Sequence, residues 1–198
     1  MSEYDPLFTP AVEDDLEPVR EHFRRASRPF LRSPWSWFAW SVLLPAVALA
    51  TPLVLRMGGP PAVLFAWSGA ILAGGAVEIV GIRRAGGGIG GMGGGSTPLA
   101  SWVLSVQGNL SLAALILSAL LVWQDLAWAL PGLWLLLLGH SFYVLGGLAF
   151  SPFKTAGLVY QLGGLAALWP DGSPLLAFAL ATAVGNAWMG FSIRRGRE

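Results

Sequence analysis

Long apolar runs alternate with short polar or glycine-rich segments along the chain, and this pattern predicts six membrane-spanning helices. The predicted spans cover residues 35–55, 61–82, 98–122, 130–150, 155–169 and 175–193. A helix needs about 20 apolar residues to cross a hydrocarbon core of about 30 Å, and only the run 155–169 is clearly short of this length. We therefore expect an all-α integral membrane protein, a bundle of six transmembrane helices arranged as consecutive antiparallel hairpins across residues 35–193.

Residues 85–96 form a predicted glycine-rich loop between the second and third spans, with eight glycines from Gly86 to Gly95. Gly88, Gly90 and Gly93 match the G-x-G-x-x-G spacing of dinucleotide-binding proteins. That fingerprint requires a preceding strand inside a βαβ unit, whereas an apolar helix is predicted here. We therefore interpret the segment as a flexible cytoplasmic connector.

Residues 1–34 form a polar arm with a segregated charge pattern. Seven of the 11 acidic residues lie within the first 21 positions. Arginines concentrate towards the end of the arm at Arg20, Arg24, Arg25, Arg28 and Arg32. Apolar residues also recur at helical spacing in the arm, which predicts an amphipathic helix that binds lipid headgroups or a partner through these arginines. The alternative is a solvated arm whose arginines only fix the membrane topology.

Composition narrows the class of protein further. The chain has 198 residues, of which 55% are hydrophobic and 12% are charged, whereas soluble domains carry about 25% charged residues. It contains no cysteine, which excludes disulfides and thiolate metal sites. A net charge of +1 gives no reason to expect nucleic-acid binding. The sequence also lacks the H-E-x-x-H and G-x-S-x-G motifs of common hydrolases.

The distribution of basic residues predicts the topology, because cytoplasmic segments carry the excess of lysine and arginine. If both termini are cytoplasmic, Arg56 alone among the 12 basic residues falls on the opposite side. Residues 194–198 then form a basic cytoplasmic tail. In a bacterial cell, the expected location is the inner (cytoplasmic) membrane.

The polar residues inside the predicted spans lie at similar depths. When residues are counted from the turns at 1.5 Å per residue, Asn109, His140, Gln161 and Asn186 lie about 10 to 18 Å from the inner boundary. Tyr143 follows His140 by one helical turn, and Glu78 lies closer to the boundary. These six residues form the candidate intramembrane site, because polar groups in hydrocarbon usually face the bundle interior, where they find partners.

Five of the candidate residues also have a purely structural interpretation. Asn109, Gln161 and Asn186 can form interhelical hydrogen bonds that fix the packing. His140 can be a neutral imidazole bonded to Asn109 or to a backbone carbonyl, or a proton-accepting group, since histidine titrates near neutrality. Glu78 can extend to the inner interface or pair with a nearby arginine, or face a water-filled cavity.

Three functions are compatible with these features. We favour a non-catalytic membrane subunit or scaffold that packs against other membrane proteins or against copies of itself. The alternative is a small transporter or channel that uses the polar layer around His140. An enzyme or cofactor carrier ranks last, because acid–base or metal chemistry needs several convergent titratable groups. We expect no cofactor and no metal. A wet cavity at the polar layer favours transport, and a dry core favours the scaffold.

Overall fold

A computed structural model describes residues 33–84, 98–148 and 150–196, together with Pro18 of the arm. The predictions for the rest of the arm, for the glycine-rich loop and for the end of the tail lie outside the described residues. The described part contains five α-helices and one short 3₁₀ helix, and it contains no strand. They are α1 (Pro34–Arg84), α2 (Pro98–Trp123), the 3₁₀ turn (Ala127–Ala129), α3 (Leu130–Leu148), α4 (Pro152–Ala167) and α5 (Pro174–Arg194).

Helix α1 consists of two helical segments joined at Gly59. Gly59 has φ 68° and ψ −169°, a conformation open to glycine because it has no Cβ. Close to this break, the Thr51 hydroxyl accepts a hydrogen bond from Trp67. At the far ends of the two segments, a Cβ on Gly81 would lie 2.7 Å from Ser33 Oγ. The contacts therefore pair residues at increasing distance on either side of Gly59, so the two segments lie side by side and run in opposite directions.

Two further connections also turn at a residue with positive φ. Asp125 has φ 57° between α2 and α3, and Asp171 has φ 63° between α4 and α5. Aspartate tolerates this left-handed region better than most residues with a side chain. Across the first of these turns, Trp134 Nε1 donates to Ser118 Oγ at 3.1 Å.

The core lies where the first segment of α1 meets α3, α4 and α5. Leu135, Tyr160 and Phe178 are among its fully buried or nearly buried side chains, with Ala48 from α1 packed against them. A second cluster lies around Phe153 and Met189. Trp37 and Phe142 extend this cluster through edge-on aromatic contacts with centroids 6.0 Å apart, a geometry that aromatic rings favour.

Helices α3 and α4 pack at very close range because glycines face each other across the interface. A Cβ on Gly157 would lie 2.6 Å from the Tyr143 backbone nitrogen and 2.7 Å from the Gly139 carbonyl oxygen. A Cβ on Gly139 would in turn lie 2.8 Å from the Gly157 carbonyl oxygen. Small residues at such positions let helix backbones approach each other inside a membrane.

Three helical stretches in the described part are long and apolar enough to cross a membrane. They are Pro34–Gly81, which includes the reversal at Gly59, Ala127–Gly147 and Pro174–Arg194. A shorter apolar helical stretch covers Gly108–Trp123. Many large apolar side chains on these helices are exposed, for example Phe65 and Leu72 at 76% and 73%, as expected for surfaces that face lipid. The all-helical class is therefore confirmed, together with helices suited to a membrane.

Candidate functional site

The buried polar centre of the bundle is a hydrogen bond between α4 and α5. Tyr160 Oη donates to Asn186 Oδ1 at 2.9 Å, and both side chains are almost completely buried. Gly185 makes room for this contact, because a Cβ there would collide with the Tyr160 ring. Inside a packed apolar core, such a bond stabilises one helix register over others.

Other polar atoms near this bond differ in how well they are satisfied. Thr182 is fully buried and donates to the carbonyl oxygens of Phe178 and Ala179 at 2.8 and 3.2 Å. Within the described part of the chain, Nδ2 of Asn186 has no hydrogen-bond partner, and neither have the indole nitrogens of Trp37 and Trp188. A buried donor without an acceptor costs free energy, so these three groups lower the stability of the core.

His140 does not face this buried centre. It is exposed at the middle of the outward side of α3, whereas its neighbours Gly139 and Ser141 are buried. Tyr143 lies one turn along the same side and is 42% exposed. The histidine at the predicted mid-membrane depth therefore points away from the bundle core.

Gln161 lies beside this outward side of α3, at the edge of the α3–α4 interface. A Cβ on Gly139 would lie 2.9 Å from Gln161 Cγ. Gln161 therefore lies level with Gly139, the residue immediately before His140. The Gln161 side chain is half-buried. The structure therefore brings Gln161, His140 and Tyr143 to one outward face and separates them from the buried Asn186.

Asn109 and Glu78 lie elsewhere. Asn109 is exposed on α2, and Glu78 is half-buried on the second segment of α1. An open cavity of about 620 Å³ lies between residues at the beginning of α1 and residues near its end, among them Val77, the neighbour of Glu78. This cavity has mostly apolar walls, with Ser33 and Arg84 among its lining residues.

The described residues contain no group of three or more histidine, cysteine, aspartate or glutamate side chains that could hold a metal ion. The six predicted site residues are distributed over a buried position, an outward face and two separate helices. The arginines proposed to bind lipid or a partner, Arg20 to Arg32, lie outside the described residues.

Tyr160 is the residue that the sequence-based site prediction missed. Its position next to Gln161 was a usable signal, because a tyrosine in the middle of an apolar helix needs a partner for its hydroxyl group. The nearby Gly185-Asn186 pair offers both the space and the acceptor.

Fold and site together describe an all-helical protein with apolar helices suited to a membrane, and its described part holds a buried polar pair and a separate polar face. No family model matches the chain, and neither the curated proteins nor the solved structures contain a match.

Proposed function

We propose that this chain is a non-catalytic subunit or scaffold of a membrane protein complex, with six spans in consecutive hairpins and both termini in the cytoplasm. In a bacterial cell its membrane is the inner membrane, because outer-membrane proteins are typically barrels. The exposed apolar surfaces of the helices and the reversals at Gly59, Asp125 and Asp171 support this arrangement.

The observation that carries the functional proposal is the position of Asn186. Its side-chain oxygen Oδ1 accepts a hydrogen bond from the Tyr160 hydroxyl across a tightly packed helix interface. This is a structural use of a polar group. The ionisable candidates His140 and Glu78 lie away from this core. Transport along the bundle axis would instead bring such groups together around a wet path.

Gentle solubilisation of the full-length protein from its native membrane tests the scaffold proposal. Its mass is measured by size-exclusion chromatography with light scattering, after subtraction of the detergent. A subunit is expected to elute in an assembly heavier than its own 20.9 kDa. A single uncomplexed monomer under several mild detergents contradicts the proposal.

A transporter or channel is the second candidate, and the unpaired donor Nδ2 of the buried Asn186 favours it, because a polar group without a protein partner is available to bind a polar substrate inside the bundle. Reconstituted vesicles with proton and small-ion gradients test this function. The variants His140→Ala and Glu78→Gln are expected to reduce any flux that depends on the polar layer. Equal flux in both variants and the parent chain removes this candidate mechanism.

A further inference from the structure

A row of polar side chains follows the outward side of the interface between α3 and α4. It consists of Gln161, His140, Tyr143 and Lys154, and we name it the polar seam. Gln161 is half-buried and the other three side chains are exposed. The flanking residues Val144, Leu158 and Leu165 are also exposed and apolar.

The glycine contacts between α3 and α4 fix the order of the seam. Gly139 lies against Gln161, and Gly157 lies against the backbone of Tyr143. At the other end, a Cβ on Gly147 would lie 3.5 Å from Lys154 Cε. The polar groups therefore run from His140 and Gln161 at one end to Lys154 at the other.

The deep end of the seam is unusual for a surface that faces lipid. Lysine and tyrosine near a membrane boundary can direct their polar atoms to the headgroups. His140 precedes Gly147 by seven residues, about 10 Å along the helix, which puts its imidazole beyond that reach. Polar side chains at this depth almost always face protein or water instead of lipid.

We infer that the polar seam is the docking surface for a single membrane-spanning helix of a different protein. That helix carries an amide or hydroxyl side chain at the level of His140 and Gln161, and a carboxylate near Lys154. Imidazole and carboxamide groups each offer both a donor and an acceptor, so one amide can bond to either. This inference rests on the proposed role as a subunit and identifies the surface and partner chemistry for that role.

Charge favours a different protein over a second copy as the occupant. A copy related by a two-fold axis along the membrane normal would place the two Lys154 ammonium groups at the same depth, facing each other, and like charges repel. A phospholipid can satisfy Lys154 through its phosphate but has no polar group at the depth of His140. A helix with a carboxylate and an amide on one face matches both ends of the seam.

Synthetic single-span peptides provide the probe. The test peptide is a leucine–alanine helix of about 21 residues with an aspartate and an asparagine seven positions apart, on the same face and about 10 Å apart. In the control peptide, the asparagine is moved by two positions to the opposite face. Binding is measured by energy transfer in phosphatidylcholine vesicles to the full-length chain, labelled through Asp171→Cys.

The test peptide is expected to bind about tenfold more tightly than the control peptide, since interhelical hydrogen bonds of this kind are worth roughly 1–2 kcal/mol. His140→Leu and Gln161→Leu are expected to reduce this difference, and Lys154→Gln is expected to weaken binding of both peptides. Asn109→Leu is the matched control, because Asn109 is an exposed polar residue on α2, outside the seam. It is expected to leave binding unchanged.

Three results overturn the inference. Equal binding of the two peptides shows that the seam does not recognise the amide. Self-association of the chain that is lost in His140→Leu assigns the seam to a second copy, and displacement of the peptide by phosphatidylglycerol assigns it to lipid. The size measurement on the native assembly does not depend on the peptide experiment. If the assembly is heavy and the peptides bind equally, the docking role of the polar seam is rejected while the subunit role is retained.

Discussion

The indole nitrogen of Trp67 donates to the hydroxyl of Thr51 at 3.0 Å, across the reversal at Gly59. The same arrangement recurs across the next turn, where Trp134 donates to Ser118 at 3.1 Å with the same separation of 16 residues. In each case the hydroxyl group also donates to the carbonyl oxygen four residues earlier in its helix. The same kind of hydrogen bond therefore joins two successive pairs of helices, and it gives each tryptophan N–H an acceptor.

Thr51→Val tests the importance of the contact with Trp67. Valine keeps the shape of threonine but removes the oxygen, so the indole N–H of Trp67 loses its acceptor. We expect a loss of about 1 kcal/mol in the free energy of unfolding. The measurement is unfolding in mixed micelles, monitored by circular dichroism. Thr51→Ser keeps the hydroxyl group and is expected to stay close to the parent chain. A loss in Thr51→Ser without a loss in Thr51→Val contradicts the prediction and assigns the effect to the methyl group.

The glycine interface between α3 and α4 supports a second prediction. In Gly157→Ala the new methyl group meets backbone atoms of Tyr143 and Gly139, which cannot rotate away. The helices must separate, and we expect a destabilisation of about 1–3 kcal/mol. Gly75→Ala is the control, because a Cβ at Gly75 has no neighbour within 4 Å among the described residues. The unfolding midpoint of Gly157→Ala is compared with that of Gly75→Ala in the same assay. Equal midpoints in the two variants contradict the tight interface.

The sequence was sufficient to predict the all-helical class and helices apolar enough for a membrane, because hydrophobic runs and turn residues are local signals. The turn residues Gly59, Asp125 and Asp171 are also of types that accept positive φ. The number of spans and their topology stay predictions.

The direction in which each polar side chain points was harder to predict. Counting residues from a turn estimates the depth of His140 but not the side of the helix on which its neighbours pack. Helix α3 is apolar on nearly every side, so no polar face marks its outward surface. The buried neighbours Gly139 and Ser141 show that a rotation of one residue separates the core from the exterior. The pairing of Tyr160 with Asn186 depends equally on how α4 and α5 pack.

A double-mutant cycle tests the buried pair of Tyr160 and Asn186. Tyr160→Phe removes the donor hydroxyl group, and Asn186→Ala removes the acceptor. Each single variant is expected to lose about 1 kcal/mol or more, because the remaining polar group stays buried without its partner. The double variant is expected to lose less than the sum of the two, since the interaction disappears only once. Additive losses in the unfolding assay show that the bond does not contribute.

The proposed topology predicts which residues a reagent can reach from each side of the membrane. The chain has no cysteine, so single cysteines can be introduced without background labelling. Met57→Cys and Asp125→Cys lie at turns and Arg195→Cys lies in the tail, and all three positions are exposed. In intact cells, a membrane-impermeant maleimide is expected to label the first two variants, because positively charged segments stay in the cytoplasm.

Arg195→Cys is expected to react only after the membrane is opened, since both termini are proposed to be cytoplasmic. These accessibilities test the six-span topology, because it requires an even number of crossings between Met57 and Asp125 and an odd number between Asp125 and the tail. If Arg195→Cys reacts in intact cells while Asp125→Cys is protected, the chain is inverted. Labelling of both from the same side requires an even number of crossings between them, which contradicts three spans after Asp125 and the mid-membrane depth of His140.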